Sequence, residues 1–565
     1  MQIIWKLKQY DKLAVNEICE KYKFSNKFSK LLLSRNINLD EIPNFLNNNL
    51  DNLKDPFEIK DMERFVQRID LAIKNNEKIV IYGDYDTDGV TSVVILYDFL
   101  KKLGLNVGYY LPDRQNEGYG LNLDAISTFK KNEVSLIITV DCGISAVNEV
   151  NYAKSLGIDV CITDHHECEE ILPNASCVIN PKRKDDNSNL DMLAGVGVVF
   201  KCISALSIYY NLPKKSYLDY LDLVALGTIS DIVPLTGENR IIAKEGIEYI
   251  KNTRNIGFKA LISLTGITNI DTNMISYMIA PKINACGRMS NSLKAVELFL
   301  TNDMYQAKKL SILLDKLNKE RQLVENKIFD EITNLIKTNK LESENSIILW
   351  SPNWHNGVLG IVASRLVNIY SKPVILFTYE NDKVARGSAR SPKGISIYKL
   401  ISECKNILLR FGGHDLATGL TVNISNLELF KLEIQNLINE NIENTKIIEI
   451  DEEISGNDLN YELYNYLEML KPYGHCNKEP LFLYRNLKIK SIRNVKNGKH
   501  LKLELIDKDK TIYAIAFLQG FKRDMLKISD KIDVVCTIVL NENNRLNKEK
   551  NKNENLILIE DFKKV

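Results

Sequence analysis

The chain has 565 residues, more than one hydrophobic core usually supports, and this length predicts about two to four domains. Apolar residues make up 45% of the chain and charged residues 26%, which is ordinary for a soluble globular protein. The net charge of +1 argues against a surface coated with basic patches. A narrow basic channel can be offset by acidic surface elsewhere, so the composition does not exclude a nucleic acid partner.

Ten cysteines are scattered singly, and no two of them form a C-x-x-C pair. This spacing disfavours a disulfide scaffold and a zinc ribbon, and it favours reduced thiols. The first residues, Met1 to Lys12, lack the apolar core of a signal peptide. No uncharged apolar run approaches the roughly 18 residues that a membrane-spanning helix needs. We therefore expect a soluble, cytoplasmic protein that does not enter a membrane.

The first part of the chain predicts a helical segment followed by a parallel sheet. Residues 1–50 show mixed polar and apolar spacing, which predicts short helices packed on the main body. From Lys78 to Asn180, short β-rich runs alternate with amphipathic stretches, a pattern typical of βαβ units with helices on both faces of a sheet. The predicted strands are Ile79–Tyr82, Val107–Leu111, Leu136–Val140, Val160–Thr163 and Cys177–Ile179.

The second part predicts a long helix, a further α/β module and a barrel. Apolar residues between 301 and 340 recur at helical spacing with Lys and Glu between them, which indicates a helix that joins two domains. An α/β module follows from Ile347 to about Ile438. From about residue 480 the strands become shorter and alternating, which predicts a small antiparallel barrel with an OB-like topology as one option. These strands are His500–Leu505, Ile512–Phe517 and Ile532–Val539, and a mobile surface loop is expected at Asn541–Asn555.

Three of the predicted parallel strands are followed directly by acidic or imidazole side chains. One strand leads into Asp84-Tyr-Asp-Thr-Asp88, another into Asp141, and a third into the triplet Asp164-His165-His166. In an open parallel sheet, ligands bind in the crevice outside the carboxyl ends of the strands. These groups are far apart in sequence and are therefore expected to converge on one cleft.

Asp84, Asp86 and Asp88 alternate along the chain, so in extended backbone their carboxylates share one face. Without a counter-charge they would repel one another strongly, and a divalent cation removes that conflict. Carboxylates with a few imidazoles suit Mn²⁺ or Mg²⁺ better than zinc. A solvated turn is the alternative for this segment. An EF-hand loop is disfavoured because a strand precedes the segment and position 95 is Ile rather than Glu.

Two further features fit the same cleft. The adjacent His165 and His166 account for two of only six histidines, and they stand beside Asp164 at a strand end. Such a pair, taken alone, is equally consistent with an accident of surface or core. Asp231 follows the apolar stretch 218–226 and a turn at 227–230, and Pro234 prevents helix from continuing. Taken alone, Asp231 fits the N-cap of a helix equally well.

Together these residues resemble the DHH phosphoesterase superfamily, whose name comes from the Asp-His-His triplet. More closely, and over almost its whole length, the chain resembles the RecJ family of bacterial single-strand-specific exonucleases. The triplet alone is weakly specific, whereas an ordered set of motifs between residues 80 and 414 is strongly specific. Besides the acids and histidines above, the motifs are Glu117–Leu121 (EGYGL), Leu193–Gly197 (LAGVG), Leu226–Asp231 (LGTISD), Ile283–Arg288 (INACGR), Trp354–Arg365 (WHNGVLGIVASR) and Phe411–His414 (FGGH).

The resemblance implies an α/β fold class and a definite domain order. A parallel-sheet DHH domain is joined by a long helix to a second α/β domain, the DHH-associated domain, and a C-terminal OB-like β-barrel follows. We place the boundaries at 1–50 for the N-terminal helical segment, 51–300 for the DHH domain, 301–340 for the connecting helix, 341–445 for the DHH-associated domain and 446–565 for the nucleic-acid-binding barrel.

The resemblance also implies an activity: 5′-to-3′ exonuclease action on single-stranded DNA in repair and recombination, with two Mn²⁺ or Mg²⁺ ions and release of 5′-mononucleotides. The metal ligands that it implies are Asp84, Asp86, Asp88, Asp141, His165 and Asp231. Asp84 also fits a place behind the ligands, and the acid that bridges the ions stays open among Asp86, Asp88 and Asp141. His166 completes the catalytic set by touching the scissile phosphate or helping to hold a metal, and Asp164 orients the histidines.

Further residues are candidates for holding the strand. Bidentate Arg suits phosphate better than Lys does, and two consecutive glycines permit close approach of a phosphate to the backbone. For each Arg a surface salt bridge is the alternative, and Tyr119 either stacks on a base or packs. The candidates are Arg114, Tyr119, Arg288, His355, Ser388, Arg390, Gly412, Gly413 and His414. The partners implied are single-stranded DNA and a single-strand-binding protein or a helicase, for a monomeric protein.

Two rival functions remain at this point. Relatives in the same superfamily hydrolyse short oligonucleotides or cyclic dinucleotides, but they lack a barrel, and the C-terminal residues of this chain favour a polymer substrate. A replication scaffold without catalysis is the second rival. Such a scaffold should lack several ligands, whereas all the expected acids and His165 are present here.

Overall fold

The computed structural model of the chain describes residues 2–113, 117–118, 120–438, 445–496, 498–539 and 555–565. The predicted DNA-binding residues Arg114 and Tyr119, and residues 541–554 of the predicted loop, lie outside the described residues. The chain divides into two compact units. The smaller unit comprises Met1–Leu53, Ile232–Glu245 and Thr445–Val565, and the larger unit comprises Lys54–Asp231 and Gly246–Asn444.

The N-terminal residues contain a strand as well as the predicted short helices. These elements are β1 (Gln2–Leu7), α1 (Lys12–Tyr22), α2 (Asn26–Leu33) and α3 (Ile42–Asn47). The side chains of Asp11 and Ser25 accept backbone N–H groups of the first turns and so begin α1 and α2. The sequence pattern missed β1, because its partner strand lies at the other end of the chain.

A five-stranded sheet follows, with strand order β3-β2-β4-β5-β6 and parallel pairing throughout. Helices cover both faces, so β2 and β4 are buried almost throughout and have continuous apolar sequences. The predicted parallel sheet is confirmed, and each observed strand lies within one residue of its predicted bounds. The elements are α4 (Met62–Lys74), β2 (Lys78–Gly83), α5 (Thr87–Lys102), β3 (Asn106–Tyr110), α6 (Leu123–Lys131), β4 (Leu136–Val140), α7 (Val147–Ser155), β5 (Asp159–Thr163) and β6 (Cys177–Ile179).

The chain between the two sheets is helical. Its elements are α8 (Gly195–Tyr209), α9 (Lys215–Leu218), α10 (Leu221–Ser230), α11 (Gly237–Lys251), α12 (Ile256–Ser263), α13 (Thr272–Met274), a π-helical turn (Ile275–Ile279), α14 (Ala280–Met289), α15 (Leu293–Leu300) and α16 (Met304–Thr338). The 35-residue α16 confirms the predicted long helix. In the described part of the chain, no helix combines the length and apolar character that crossing a bilayer requires.

The helix α10 corrects one detail of the sequence analysis. A turn was predicted at 227–230, but α10 continues through Gly227 to Ser230. A Cβ at Gly227 would lie 2.4 Å from Thr91 Oγ1 and 3.1 Å from Asp88 Oδ1. Glycine therefore serves the close packing of α10 on α5, and it does not end the helix.

The second sheet of the larger unit forms the predicted second α/β module. Its strand order is β10-β11-β9-β8-β7; β7 and β8 pair in parallel, and the other pairs are antiparallel. The strand β10 forms one edge. The elements are β7 (Ile347–Trp350), α17 (Asn356–Tyr370), β8 (Val374–Tyr379), β9 (Val384–Arg390), α18 (Ile397–Glu403), β10 (Leu408–His414), β11 (Ala417–Asn423) and α19 (Leu427–Leu437).

The C-terminal residues form a closed five-stranded barrel, which confirms the OB-like prediction. Its strands pair in the order β14-β15-β16-β18-β17, and β17 returns to β14. The strand β1 pairs in parallel with β12, and Ile18, Phe28 and Leu31 of the N-terminal helices share the core of the barrel. The elements are β12 (Thr445–Ile450), β13 (Glu452–Ile454), α20 (Tyr461–Leu470), β14 (Phe482–Val495), β15 (His500–Asp507), β16 (Lys510–Ala516), β17 (Lys531–Val539) and β18 (Asn555–Lys564).

Candidate metal centre

The acids and imidazoles that follow the parallel strands lie together, as the sequence predicts. Three sets of side chains each have possible ligand atoms within 4.8 Å of one another. His165 and Asp141 each belong to two of these sets, so the sets are parts of one cluster. They are Asp84, Asp86 and Asp141; Asp88, His165 and Asp231; and Asp141, His165 and His166.

His165 occupies the middle of the cluster. Its Nε2 lies 3.2 Å from Asp141 Oδ1, 3.6 Å from Asp231 Oδ2 and 3.9 Å from Asp88 Oδ2. Burial and the neighbouring charge of His166 lower the pKa of His165 to about 3, so this ring is neutral. A neutral imidazole whose nitrogen faces three acids has the form that a metal ligand requires.

Asp86 and Asp88 also hold the ends of two helices. Asp86 is the N-cap of α5, and its Oδ1 accepts the backbone N–H groups of Asp88 at 2.9 Å and Gly89 at 3.1 Å. Asp88 reaches the N-terminus of α8, where its two carboxylate oxygens accept the N–H groups of Gly195 at 2.7 Å and Val196 at 2.8 Å. Both carboxylates therefore accept backbone N–H groups at helix N-termini, where the helix carries a partial positive charge.

Asp141 and Asp231 enter the cluster from different elements. Asp141 has a φ of +59°, a left-handed conformation that is uncommon for a residue other than glycine. A Cβ on Gly195 would lie 2.6 Å from Asp141 Oδ1, so α8 approaches this acid as closely as glycine allows. Asp231 is the C-cap of α10. The alternative that Asp231 caps the N-terminus of a helix is therefore wrong.

The crowding of these acids opposes their ionisation. Burial, with the charge of Asp86, raises the pKa of Asp88 to about 7, although two backbone N–H groups act in the opposite direction. Burial and the charges of Asp88 and Asp86 raise the pKa of Asp231 to about 9. The pKa of Asp141 lies well above its ordinary value for the same reasons. A bound cation would neutralise this repulsion, and oxygen-rich sites with one or two imidazoles fit Mn²⁺ or Mg²⁺.

His166 is the charged histidine of the pair. Its Nδ1 donates to Asp164 Oδ1 at 2.7 Å. Burial lowers the pKa of His166, but the hydrogen bond and the charge of Asp164 outweigh that effect and raise the pKa to about 9. Asp164 is itself held by backbone N–H groups of Ile144, His165 and His166 at 2.7 to 3.1 Å. Asp164 thus contacts the ring of His166 and the backbone of both histidines.

The predicted DNA-binding residues fall into three places. Arg288 Nη1 donates to the Gly357 carbonyl at 3.0 Å, and His355 Nδ1 accepts the Gly357 N–H at 3.1 Å, so both lie at the start of α17. On β9, Arg390 Nη1 donates to Ser388 Oγ at 3.1 Å. The segment Gly412, Gly413 and His414 is exposed on the edge strand β10.

Several residues that support the cluster were missed by the sequence analysis. Gly195 and Val196 supply N–H groups to Asp88, Asn180 Nδ2 donates to the His166 carbonyl at 2.9 Å, and Asn284 hydrogen-bonds Thr87 between Asp86 and Asp88. Gly195 and Asn284 belong to motifs that carry the resemblance. Their position within a motif could have drawn attention to these two residues. It does not reveal which of their atoms contacts the cluster.

Three family models match the chain in the order of the observed elements. The DHH family N-terminal domain matches residues 78–228, the DHHA1 domain matches residues 343–440, and the RecJ OB domain matches residues 450–550. The DHH match contains every residue of the acid and imidazole cluster except Asp231, which lies just beyond it.

Similar proteins and solved structures match over most of the chain. The single-stranded-DNA-specific exonuclease RecJ of Bacillus subtilis is 36% identical over 554 residues, which are 96% of this chain and 69% of that protein. The crystal structure of RecJ from Thermus thermophilus in complex with Mn²⁺ has a TM-score of 0.85 at 27% identity and covers 100% of this chain and 80% of that one. The Mg²⁺ complex of the same protein has a TM-score of 0.79 at 25% identity, with 100% and 79% coverage. The chain therefore belongs to the RecJ family of single-stranded-DNA-specific exonucleases, within the DHH superfamily.

Proposed function

We propose that this chain is a metal-dependent exonuclease that degrades single-stranded DNA from 5′ to 3′, releases 5′-mononucleotides and acts in DNA repair and recombination. The observation that carries the proposal is the cluster itself, in which acids from two strand ends and one helix end surround the neutral His165, which follows a third strand. Membership of the RecJ family supports the substrate, and the C-terminal barrel supports a polymeric one.

The donor set fits two divalent ions of the Mn²⁺ or Mg²⁺ type. The ligands that we propose are Asp84, Asp86, Asp88, Asp141, His165 and Asp231. The raised pKa values of Asp88 and Asp231 support this assignment, because they mark acids held together against their own repulsion. When bound, such ions lower the pKa of a water and stabilise the charge on attacking and leaving oxygens.

The residues of the chain then have separate tasks. His165 stays neutral and holds its Nε2 toward the acids. His166 carries a positive charge and would donate from Nε2 to a non-bridging oxygen of the scissile phosphate, while Asp164 keeps its Nδ1 protonated and its ring fixed. The catalytic set is completed by Asp86, Asp88, Asp141 and Asp231.

We propose that the DNA strand is held by groups of the larger unit. Arg288 and His355 lie together at the start of α17, and Ser388 and Arg390 lie together on β9. The exposed Gly412, Gly413 and His414 on β10 would also contact the DNA strand. Arg114 and Tyr119 stay predictions from the sequence. The family resemblance supports a monomer that acts with a single-strand-binding protein or a helicase. The scattered single cysteines support a cytoplasmic location.

The proposal predicts a definite substrate and metal dependence. The purified chain should shorten a 5′-labelled single strand with release of labelled mononucleotide at the earliest times, while a blunt duplex of the same sequence stays intact. Removal of divalent ions with EDTA should abolish the reaction, and added Mn²⁺ or Mg²⁺ should restore it. Early release of a 3′ label from the single strand would contradict the polarity, and rapid cleavage of a dinucleotide alone would favour the short-oligonucleotide rival.

Adding one methyl group at Gly195 should damage the cluster, because the new Cβ would lie 2.6 Å from Asp141 Oδ1. We expect the Gly195→Ala variant to fold but to bind Mn²⁺ about 10- to 100-fold more weakly, as other changes behind metal ligands do. Isothermal titration of Mn²⁺ into the metal-free chain measures this affinity.

The matched control is Gly197→Ala on the same helix. A Cβ there would meet Leu193 Cδ2 at 3.2 Å, and a leucine methyl can shift by the few tenths of an ångström required. This control should retain nearly the wild-type Mn²⁺ affinity. Equal affinities for the two variants would show that the close approach of α8 does not matter to the cluster.

A further inference from the structure

Residues 84–88 link β2 to α5 and include the first two residues of that helix. This segment carries three of the proposed metal ligands and is held by α14 and the start of α15. Ser292 Oγ donates to the Tyr85 carbonyl at 2.7 Å. A Cβ on Gly287 would lie 2.8 Å from the same carbonyl oxygen, so the backbone of α14 approaches the segment closely. The backbone of this segment is therefore fixed from outside the sheet.

The central contact of this support is made by Asn284. Its Oδ1 accepts two hydrogen bonds from Thr87, one from the backbone N–H and one from Oγ1, both at 2.8 Å. Thr87 is only 1% exposed and stands between Asp86 and Asp88. Two bonds from one residue to a single oxygen define both the position and the rotation of Thr87.

The position of Thr87 matters because it is the first residue of α5. The first N–H groups of a helix have no partner within the helix. Asp86 Oδ1 already accepts the N–H groups of Asp88 and Gly89, and Asn284 accepts that of Thr87. Without Asn284, the Thr87 N–H would turn to water or compete for the Asp86 carboxylate. Asp86 could then not keep one oxygen for the helix cap and direct the other toward a metal ion.

We infer that Asn284 is a positioning residue of the metal centre: its amide oxygen fixes Thr87 and thereby sets the directions of Asp86 and Asp88 on either side. This inference rests on the proposed metal binding, and it concerns how the ligands are aimed. Asn284 itself makes no contact with substrate in this role. A group that aims ligands without touching the ion typically changes metal affinity by about 10- to 100-fold when it is removed.

The experiment compares Mn²⁺ binding by metal-free, full-length variants. Asn284→Ala should bind Mn²⁺ about 10- to 100-fold more weakly than the wild type. Asn291→Ala is the control, since Asn291 is an exposed asparagine of the same region whose side chain accepts the Leu293 N–H at 2.8 Å and does not bond residues 84–88. It should bind Mn²⁺ as the wild type does. A folded Asn284→Ala variant with Mn²⁺ affinity within twofold of the wild type would overturn the inference.

If Asn284→Ala does not fold, a second pair of variants tests whether the contact between Asn284 and Thr87 affects Mn²⁺ affinity. Thr87→Val keeps the N–H bond to Asn284 but loses the Oγ1 bond, whereas Thr87→Ser keeps both. Thr87→Val should weaken Mn²⁺ binding relative to Thr87→Ser, and equal affinities would overturn the inference. Wild-type chain that binds Mn²⁺ but leaves DNA intact would contradict the proposed function, and the comparison of Mn²⁺ affinities would still test the role of Asn284.

Discussion

Replacement of His165 by alanine is expected to lower the rate of single-stranded DNA hydrolysis by more than about a thousandfold, or ~4 kcal/mol of transition-state stabilisation. The reason is its central place, with Nε2 between 3.2 and 3.9 Å from three acids. Without this neutral nitrogen, a cation would be held by mutually repelling carboxylates with one ligand fewer. The measurement is release of 5′-labelled mononucleotide at saturating Mn²⁺, with far-UV circular dichroism to show that the variant is folded.

The control for this variant is His475→Ala, which removes an exposed imidazole of the smaller unit. Its rate should stay within twofold of the wild type. Substantial turnover by His165→Ala, with Mn²⁺ affinity unchanged, would remove His165 from the metal ligands. It would also favour a mechanism that does not depend on the cluster.

Asp86 can be tested in the same assay, because it has two separable roles: it caps the N-terminus of α5 and it is a proposed metal ligand. Asp86→Ala removes both the charge and the helix cap, whereas Asp86→Asn keeps an oxygen that can accept the N–H groups of Asp88 and Gly89. Both variants should lose hydrolysis, but only Asp86→Ala should lose about 1 kcal/mol of unfolding free energy with the cap. Activity retained by Asp86→Asn would mean that Asp86 acts as a cap alone.

The sequence predicted the core of the metal centre because local periodicity and one topological rule were sufficient. Apolar runs mark buried parallel strands, and the residues that follow such strands meet at one edge of the sheet. Asp84, Asp141 and His165 could be placed together on that basis. Asp231 could not be placed so firmly, since it follows a helix, and an N-cap has the same local sequence. Only the packing of α10 on α5 shows it to be a C-cap in the cluster.

The groups that hold the proposed metal ligands in place could not be predicted from the sequence in the same way. The oxygen of Asn284 meets Thr87, which is 197 residues away, and no periodicity records such a contact. The strand β1 pairs with β12 across more than 400 residues, so its short sequence contained no sign of its partner. Almost every residue has a backbone N–H group, so the residue type does not reveal that the N–H of Gly195 contacts Asp88. Sequence therefore indicates the ligands of a site more readily than the groups that hold them.

A buried arginine of the smaller unit is a further example of a support that local pattern does not reveal. Arg240 is 1% exposed, and its guanidinium donates to three backbone carbonyls: Phe45 at 3.1 Å, Met469 at 3.0 Å and Leu470 at 3.0 Å. These carbonyls lie near the C-terminal ends of α3 and α20, where the helix leaves acceptors without partners. The guanidinium also lies over the Phe45 ring, 3.9 Å from its centroid. One side chain thus ties two helix ends together.

Arg240→Met is therefore expected to lower the free energy of unfolding by about 3–5 kcal/mol, because it removes three hydrogen bonds and a buried guanidinium, although the Leu470 carbonyl keeps the Asn477 side chain as a donor at 2.8 Å. Arg240→Lys should lose less, since one ammonium keeps the charge but cannot reproduce the planar set of donors. Lys244→Met is the matched control: Lys244 reaches a single carbonyl, that of Asn48, at 3.1 Å, and its loss should cost about 1 kcal/mol. Urea unfolding followed by circular dichroism measures all three. Equal stabilities of Arg240→Met and Lys244→Met would mean that water replaces the guanidinium at these helix ends.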